Sequence, residues 1–296
     1  MLGVVNLDKP IGPTSHDMVG LMRRLTGTRR IGHAGTLDPL ASGVLPILVG
    51  AATRFSEELT GGRKRYDAVI RLGQTSETDD GEGPISVVGG PMPSHAAVAD
   101  ALARFVGTFD QLPPAFSARK LGGRTAHRAA RAGEPIALPP RTVTIDAIDL
   151  LDVGAGDGWL DVRIDLRCGP GTYVRSIARD LGSQLGCGGH LHTLRRTEAA
   201  GLRVEDGITP ERLEALAADG RLDAAVRPVG DLLPLPAVSL GSDAAWRFAH
   251  GSAQSFDDGS PGRVKVLDEA GRLLGVGSLA GGELRPEKVI PTDGGA

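Results

Sequence analysis

The chain reads as an α+β protein with a small β-rich C-terminal part, on three observations. Lys64 to Leu72 and Trp159 to Leu166 alternate apolar and polar residues with period two, and they lie among stretches with helical apolar spacing. Thr142 to Val153 and Trp159 to Leu166 flank a Gly154 to Gly158 turn, which makes them an antiparallel hairpin. Finally, Pro228 to Pro236 reads as a linker before a region with strands near Val264 to Leu267, Leu273 to Ser278 and Leu284 to Ile290. At 296 residues and 41% hydrophobic, the chain can bury one large core, or a large and a small one.

In order, Val4 to Leu7 is a short strand, followed by a Pro/Gly turn and a helix capped by Thr14 or Ser15 and stopped near Gly27. Val19, Met22 and Leu25 form its apolar stripe. A Gly-rich loop leads to a buried strand at Val44 to Val49, a helix at Ala51 to Leu59 and the alternating strand at Lys64 to Leu72. The polar, acidic Gln74 to Pro93 reads as a loop, Ser94 caps a helix to about Val106, and Gly107 to Ala118 is a Pro-rich connection. After the hairpin, Val174, Ile177, Ala178, Leu181 and Leu185 have helical spacing, with Tyr173 and Arg175 at the first turn. A cation there opposes the helix dipole, so Arg175 calls for an acidic partner elsewhere. His190 to Arg196 is a strand, Thr209-Pro210 opens an acidic helix to about Ala218, and a short helix covers Ala244 to Ala249.

Composition excludes several classes. There is no run of 18 apolar residues and no basic-then-apolar leader, because Asp8 and Lys9 interrupt the first apolar segment, so a cytoplasmic protein with no membrane contact is expected. Cys168 and Cys187 are too few and too far apart for a Cys-x-x-Cys metal or redox motif. The net charge of −3 hides an asymmetry: residues 1–204 carry 24 Lys/Arg against 21 Asp/Glu, whereas residues 205–296 carry 9 against 15. Cations cluster at Arg23-Arg24, Arg29-Arg30, Arg63 to Arg65, Arg119 to Arg131 and Arg195-Arg196, enough for a basic surface suited to nucleic acid.

The stretch from Gly32 to Ile47 holds a lone carboxylate, Asp38, between glycines that permit close backbone approach and Pro39, which biases Asp38 away from helix. That pattern suits a catalytic acid on a sharp loop. It also fits a turn aspartate, a phosphate loop lacking the usual Lys-Ser/Thr, or, with His33, an incomplete metal site. Ser117 to Gly133 contains Arg119, Lys120, Arg124, Arg128 and Arg131 with no acid, which reads either as a solvated helix or as a basic flap that clamps phosphates.

Asn6 to Pro10, Gly32 to Gly43, Lys64-Arg65-Tyr66 and Gly171 to Arg175 occur in an order and spacing that resembles the bacterial TruB-type tRNA pseudouridine synthases, over about residues 1–230. The resemblance implies a pseudouridine synthase fold with a mixed, largely antiparallel sheet. It implies a catalytic domain at 1–230 with a basic insertion at about 111–141, and a small PUA-like or degenerate domain at 235–296. It further implies isomerisation of uridine 55 in the tRNA T loop by a monomer that needs no cofactor or metal. Asp38 would be the catalytic carboxylate, Arg175 its partner, and Tyr66 the residue stacked on the flipped uracil. Tyr173 and Leu194 would line the pocket, and His33 would fill the space that the base leaves. Lys9 and Pro10 would support the site, and Lys120 and Arg124 of the insertion would contact RNA. His127 stands where relatives often have Tyr. Two other readings share these motifs: a guide-RNA-dependent synthase acting on ribosomal RNA, and a non-catalytic RNA-binding or RNA-folding protein.

Overall fold

The computed structural model describes residues 1–117, 120–121, 124–134, 136–256 and 260–291. The strands in chain order are β1 (Gly3–Lys9), β2 (Ile31–His33), β3 (Ala41–Val49), β4 (Lys64–Leu72), β5 (Gln74–Ser76), β6 (Ile85–Val87), β7 (Gly107–Gln111), β8 (Lys120–Leu121), β9 (Arg124–Thr125) and β10 (Arg141–Ala155). They continue with β11 (Leu160–Cys168), β12 (Gly189–Ala199), β13 (Leu202–Arg203), β14 (Val226–Arg227), β15 (Ala237–Ser239), β16 (Gln254–Ser255), β17 (Gly262–Leu267), β18 (Leu273–Ala280) and β19 (Glu283–Val289). The helices are α1 (Ser15–Thr26), α2 (Ser56–Thr60), α3 (His95–Ala103), α4 (Ala126–Arg131), α5 (Val174–Gln184), α6 (Pro210–Ala218) and α7 (Ser242–Ala249).

Among the described residues the main sheet has the order β14-β1-β3-β12-β4-β11-β10-β7, with β13 beside β12 and β2 beside β3. Every pairing is antiparallel except β3 with β12. The mixed, largely antiparallel sheet is therefore as expected. Gly43 makes the parallel contact possible: its φ is +102°, and a Cβ there would lie 2.2 Å from the Arg196 carbonyl oxygen.

Strand alternation divides the core between two faces. Val5, Leu7, Leu45, Ile47, Ile70 and Ile164 pack beneath α1, α3, α5 and α6, whereas Val4, Val44 and Leu48 face Phe55, Leu59, Val229 and Leu233 on the other side. Thr14 caps α1 through a reciprocal bond with Asp17, and Gly27 ends the helix in the left-handed conformation.

Four expectations change. Gln74 to Pro93 contains the β5–β6 hairpin, whose turn packs on β12 through hydrogen bonds between Leu191 and the Asp79 to Gly81 backbone. Gly107 to Gln111 is a strand, because the free edge of β10 supplies the backbone partners that its weak local pattern does not announce. The helix at Ala51 to Leu59 is a 3₁₀ segment, Gly50–Phe55, followed by the single turn of α2. Pro228 to Pro236 is packed rather than free: Val229 and Leu233 are buried in the same cluster as Val276 of β18.

A five-stranded sheet, β15-β17-β18-β19-β16, carries α7 and its own core around Phe248 and Val266. Its charges fasten it to α2. The Glu58 side chain, 4% exposed, accepts from Arg263 at 2.7 Å and from Lys288 at 2.9 Å. Although burial opposes its charge, Lys288 and Arg263 hold the Glu58 carboxyl below the usual value of 4.5. A depressed pKa stabilises the fold above that value and ceases to do so as the pH falls through the native pKa. Glu58→Gln is expected to cost about 1–3 kcal/mol at pH 7, read as a lower denaturation midpoint. The gap from the wild type should close below pH 4.5, and a gap that persists in acid would contradict the ion pair as its source.

Candidate active site

Asp38 lies on the loop between β2 and β3, and neighbouring elements hold the backbone on both sides of it. Ser15, the first residue of α1, donates from Oγ to the Leu37 carbonyl at 2.9 Å and accepts from the Leu37 N–H at 2.8 Å. Lys9 ends β1 fully buried, and its ammonium donates to the carbonyls of Pro10 at 2.8 Å, Pro13 at 2.7 Å and Pro39 at 3.5 Å. Burial pushes the Lys9 pKa down to about 8 against the opposing pull of Asp38. Arg196, on β12 and 1% exposed, donates to the carbonyls of Gly35 at 3.0 Å, Thr36 at 3.4 Å and Val44 at 2.7 Å. Two buried cations and one hydroxyl thus satisfy a loop whose own turn leaves its carbonyls without strand partners.

The acidic partner required for Arg175 is present. Its Nη2 lies 3.0 Å from Asp38 Oδ2, and its Nη1 lies 3.6 Å from Oδ2 of Asp80, which is itself buried. The same guanidinium donates to the Thr78 carbonyl at 3.2 Å and the Phe116 carbonyl at 2.9 Å. It therefore joins the Asp38 loop, the turn of the β5–β6 hairpin and the root of the basic insertion. Asp38 keeps 36% of its side chain exposed, whereas Arg175 keeps 7%, so the carboxylate faces solvent while its cation is buried.

A cleft of about 330 Å³ opens over this pair, lined by Asp38, Tyr66, Tyr173, Arg175, Leu194 and Arg196 among others. Tyr66 enters from β4, where strand alternation turns it inward between Arg65 and Asp67. Burial raises its pKa, with Arg196 opposing, so it is a neutral phenol at neutral pH. Tyr173, just before α5, is fixed through its backbone: its N–H donates to Gln111 Oε1 at 2.9 Å, and Gln111 Nε2 donates to its carbonyl at 3.0 Å. A charged oxygen beside an aromatic wall and an aliphatic Leu194 suits a flat polar ring.

Of the residues singled out in the sequence, Asp38, Tyr66, Tyr173, Arg175 and Leu194 meet in the cleft. His33, Lys9 and Pro10 do not line it. His33 is half-buried at the end of β2, and Lys9 acts on the loop from below. Arg124 is exposed and paired with Glu134 at 2.8 Å, one residue beyond the acid-free segment. Arg119 and the side chains of Lys120, His127 and Arg131 lie outside the described residues. The Arg195-Arg196 pair is not a basic surface, because alternation on β12 sends Arg195 outward to Asp8 and Arg196 into the core. Sequence reasoning missed Arg196, Ser15, Gln111 and Asp80. The signal available for Arg196 was its period-two relation to Leu194.

A larger groove of about 860 Å³, which shares Lys64 with the cleft, lies between β4, β13 and the segment around Leu232. Arg63 there pairs with Asp146 and Arg65 with Asp165 and Glu198, so these two cations are already matched. Among the described residues no group of His, Cys, Asp and Glu is arranged to hold a metal ion, and no helix is long and apolar enough to cross a membrane.

The fold is similar to that of the chain solved in a structure of an H/ACA RNP bound to a substrate RNA containing 2′-deoxyuridine. The TM-score is 0.74 with 26% identity, over 99% of this chain and 86% of that one. Family models and named relatives define the class as a pseudouridine synthase. Residues 23–174 match the family model of the TruB family pseudouridylate synthase N-terminal domain. Residues 175–234 and 236–290 match those of the tRNA pseudouridylate synthase B C-terminal domain and of the pseudouridine synthase II TruB C-terminal region. A tRNA pseudouridine synthase B of Burkholderia mallei is 43% identical over 298 residues, covering 98% of this chain and 97% of that protein. One from Cupriavidus metallidurans is 41% identical over 297 residues, covering 97% and 94%. The chain belongs to the TruB family.

Because Arg175 ties three segments to Asp38, Arg175→Met should lower the rate of isomerisation by about a hundredfold or more, the scale of losing one preorganised donor. Single-turnover assays at saturating enzyme test this, and a variant within threefold of the wild type would show that the ion pair is dispensable.

Proposed function

We propose that this protein isomerises uridine 55 in the T loop of tRNA to pseudouridine, acting alone and without cofactor or metal. The observation that carries the reading is the Asp38–Arg175 pair at 3.0 Å within a cleft of about 330 Å³. A base inside a folded loop must leave its stack to reach Asp38, at a cost of roughly a few kcal/mol that stacking on an aromatic ring offsets. Tyr66 supplies that ring, and Tyr173 and Leu194 close the sides. His33, outside the cleft, would occupy the place that the base leaves.

The reaction conserves atoms. The bond from C1′ to N1 breaks, a bond from C1′ to C5 forms, C5 loses a proton and N1 gains one. Asp38 is the one carboxylate lining the cleft among the described residues, so it takes the role of enabling glycosidic cleavage. Tyr66 is neutral at rest, so it can take the proton that C5 loses only by giving up its own hydrogen, and N1, which gains one, is where that hydrogen goes. Relatives at 41–43% identity that are named for tRNA support tRNA as substrate over the guided ribosomal RNA reading.

Asp38→Asn removes charge with little volume. It should bind transcript tRNA normally yet release no tritium from tRNA labelled at uridine C5; sustained release would remove Asp38 from the chemistry. Tyr66→Phe keeps the ring and should bind well but turn over roughly a hundredfold slower, and a near wild-type rate would leave Tyr66 with stacking alone. If the insertion clamps phosphates, replacing Lys120, Arg124 and Arg128 together by Ala should reduce the slope of log affinity against log salt by roughly one to three. An unchanged slope would show a solvated surface.

A further inference from the structure

Arg196 has no carboxylate partner among the described residues, although its side chain is one of the largest fully buried in the protein. An unpaired buried cation is costly, and a well-packed apolar residue would be cheaper if this position served packing alone. Strand register shows what the charge faces. In the antiparallel pairing of β12 with β4, Arg196 stands directly opposite Tyr66, and in the parallel pairing with β3 it stands opposite Gly43. Residues directly opposite on one face have adjacent side chains, and both Arg196 and Tyr66 line the cleft. The register sets the guanidinium beside the Tyr66 side chain, and its hydrogens reach the carbonyls of Gly35, Thr36 and Val44.

Hydrogen-bond chemistry then sets a direction. A guanidinium has five donors and no acceptor, so a hydrogen bond between the two runs from Arg196 to the Tyr66 oxygen and leaves the phenolic hydrogen for another acceptor. Tyr66 lines the cleft, so that acceptor can be a base bound there. A fixed positive charge beside that oxygen also favours electron density gathering on it.

We infer that Arg196 is a positioning residue for the isomerisation: it locks the Tyr66 hydroxyl so that its hydrogen faces the flipped base, and it holds the Asp38 loop in register with it. The inference rests on the reading of Tyr66 given above.

The test is a double-mutant cycle on single-turnover pseudouridine formation with tRNA transcript. Arg196→Met is made in the wild-type and Tyr66→Phe backgrounds, with tRNA affinity and thermal midpoint measured alongside. Residues coupled by direct contact depart from additivity, so Arg196→Met should slow the Tyr66 enzyme at least about tenfold more than it slows the Phe variant. Equal losses in both backgrounds would reduce Arg196 to scaffold and overturn the inference. If Arg196→Met does not fold, Arg196→Lys, which keeps the charge and removes the fork, carries the same cycle.

A second readout needs no activity. The chain has two tyrosines, so 3-fluorotyrosine labelling gives two ¹⁹F lines, assigned with Tyr173→Phe. Arg196→Lys should move the Tyr66 line and leave the Tyr173 line in place; an unmoved Tyr66 line would overturn the inference even if the wild type proved inactive on tRNA. A Tyr66→Phe variant as fast as the wild type would overturn it while leaving the assignment of Asp38 intact.

Discussion

The buried guanidinium of Arg175 is the contact on which the site depends. It meets Asp38, Asp80, the Thr78 carbonyl and the Phe116 carbonyl, in segments far apart in the chain. Its position in the first turn of α5 is electrostatically unfavourable, and two carboxylates offset that cost. Burial on one side and exposure on the other also sets the division of labour: the cation is fixed and dry, while the carboxylate keeps access to a substrate.

Below this pair, the Asp38 loop is held by groups that would be expensive alone. Lys9 and Arg196 are buried cations bonded mainly to carbonyls, and Ser15 bonds Leu37 in both directions. Each removes an unsatisfied backbone group and costs desolvation, a balance that favours a single geometry over maximal stability. The C-terminal sheet is joined to the rest by a similar device at Glu58, so both halves of the molecule use buried charge to fix orientation.

Much of this was legible in the chain. The alternation of Lys64 to Leu72 matches β4 to the residue, Thr14 and Gly27 delimit α1, and Asp38, Tyr66, Arg175, Tyr173 and Leu194 were recognisable as one set through the family motifs. What stayed hidden depends on tertiary partners. Gly107 to Gln111 is a strand because β10 has an edge to fill, and Asp80 looks like one acid among several in a polar loop until Arg175 reaches it. Arg196 reads as half of a solvated pair, since a double arginine shows its inward member only once the register of β12 is known. The basic insertion stayed ambiguous for a related reason: Ser117 to Gly133 contains no acid, and the partner that Arg124 finds among the described residues, Glu134, lies just past the end of that stretch.

The central claim is that the cleft over Asp38 and Arg175 performs uridine isomerisation on tRNA with no guide. Position-resolved pseudouridine mapping of an unmodified tRNA transcript, incubated with the purified protein alone, tests it most directly. The account predicts a single modified site, at uridine 55 in the T loop, at high occupancy. A transcript left unmodified until a guide RNA is added, or modified at a site outside the T loop, would contradict it.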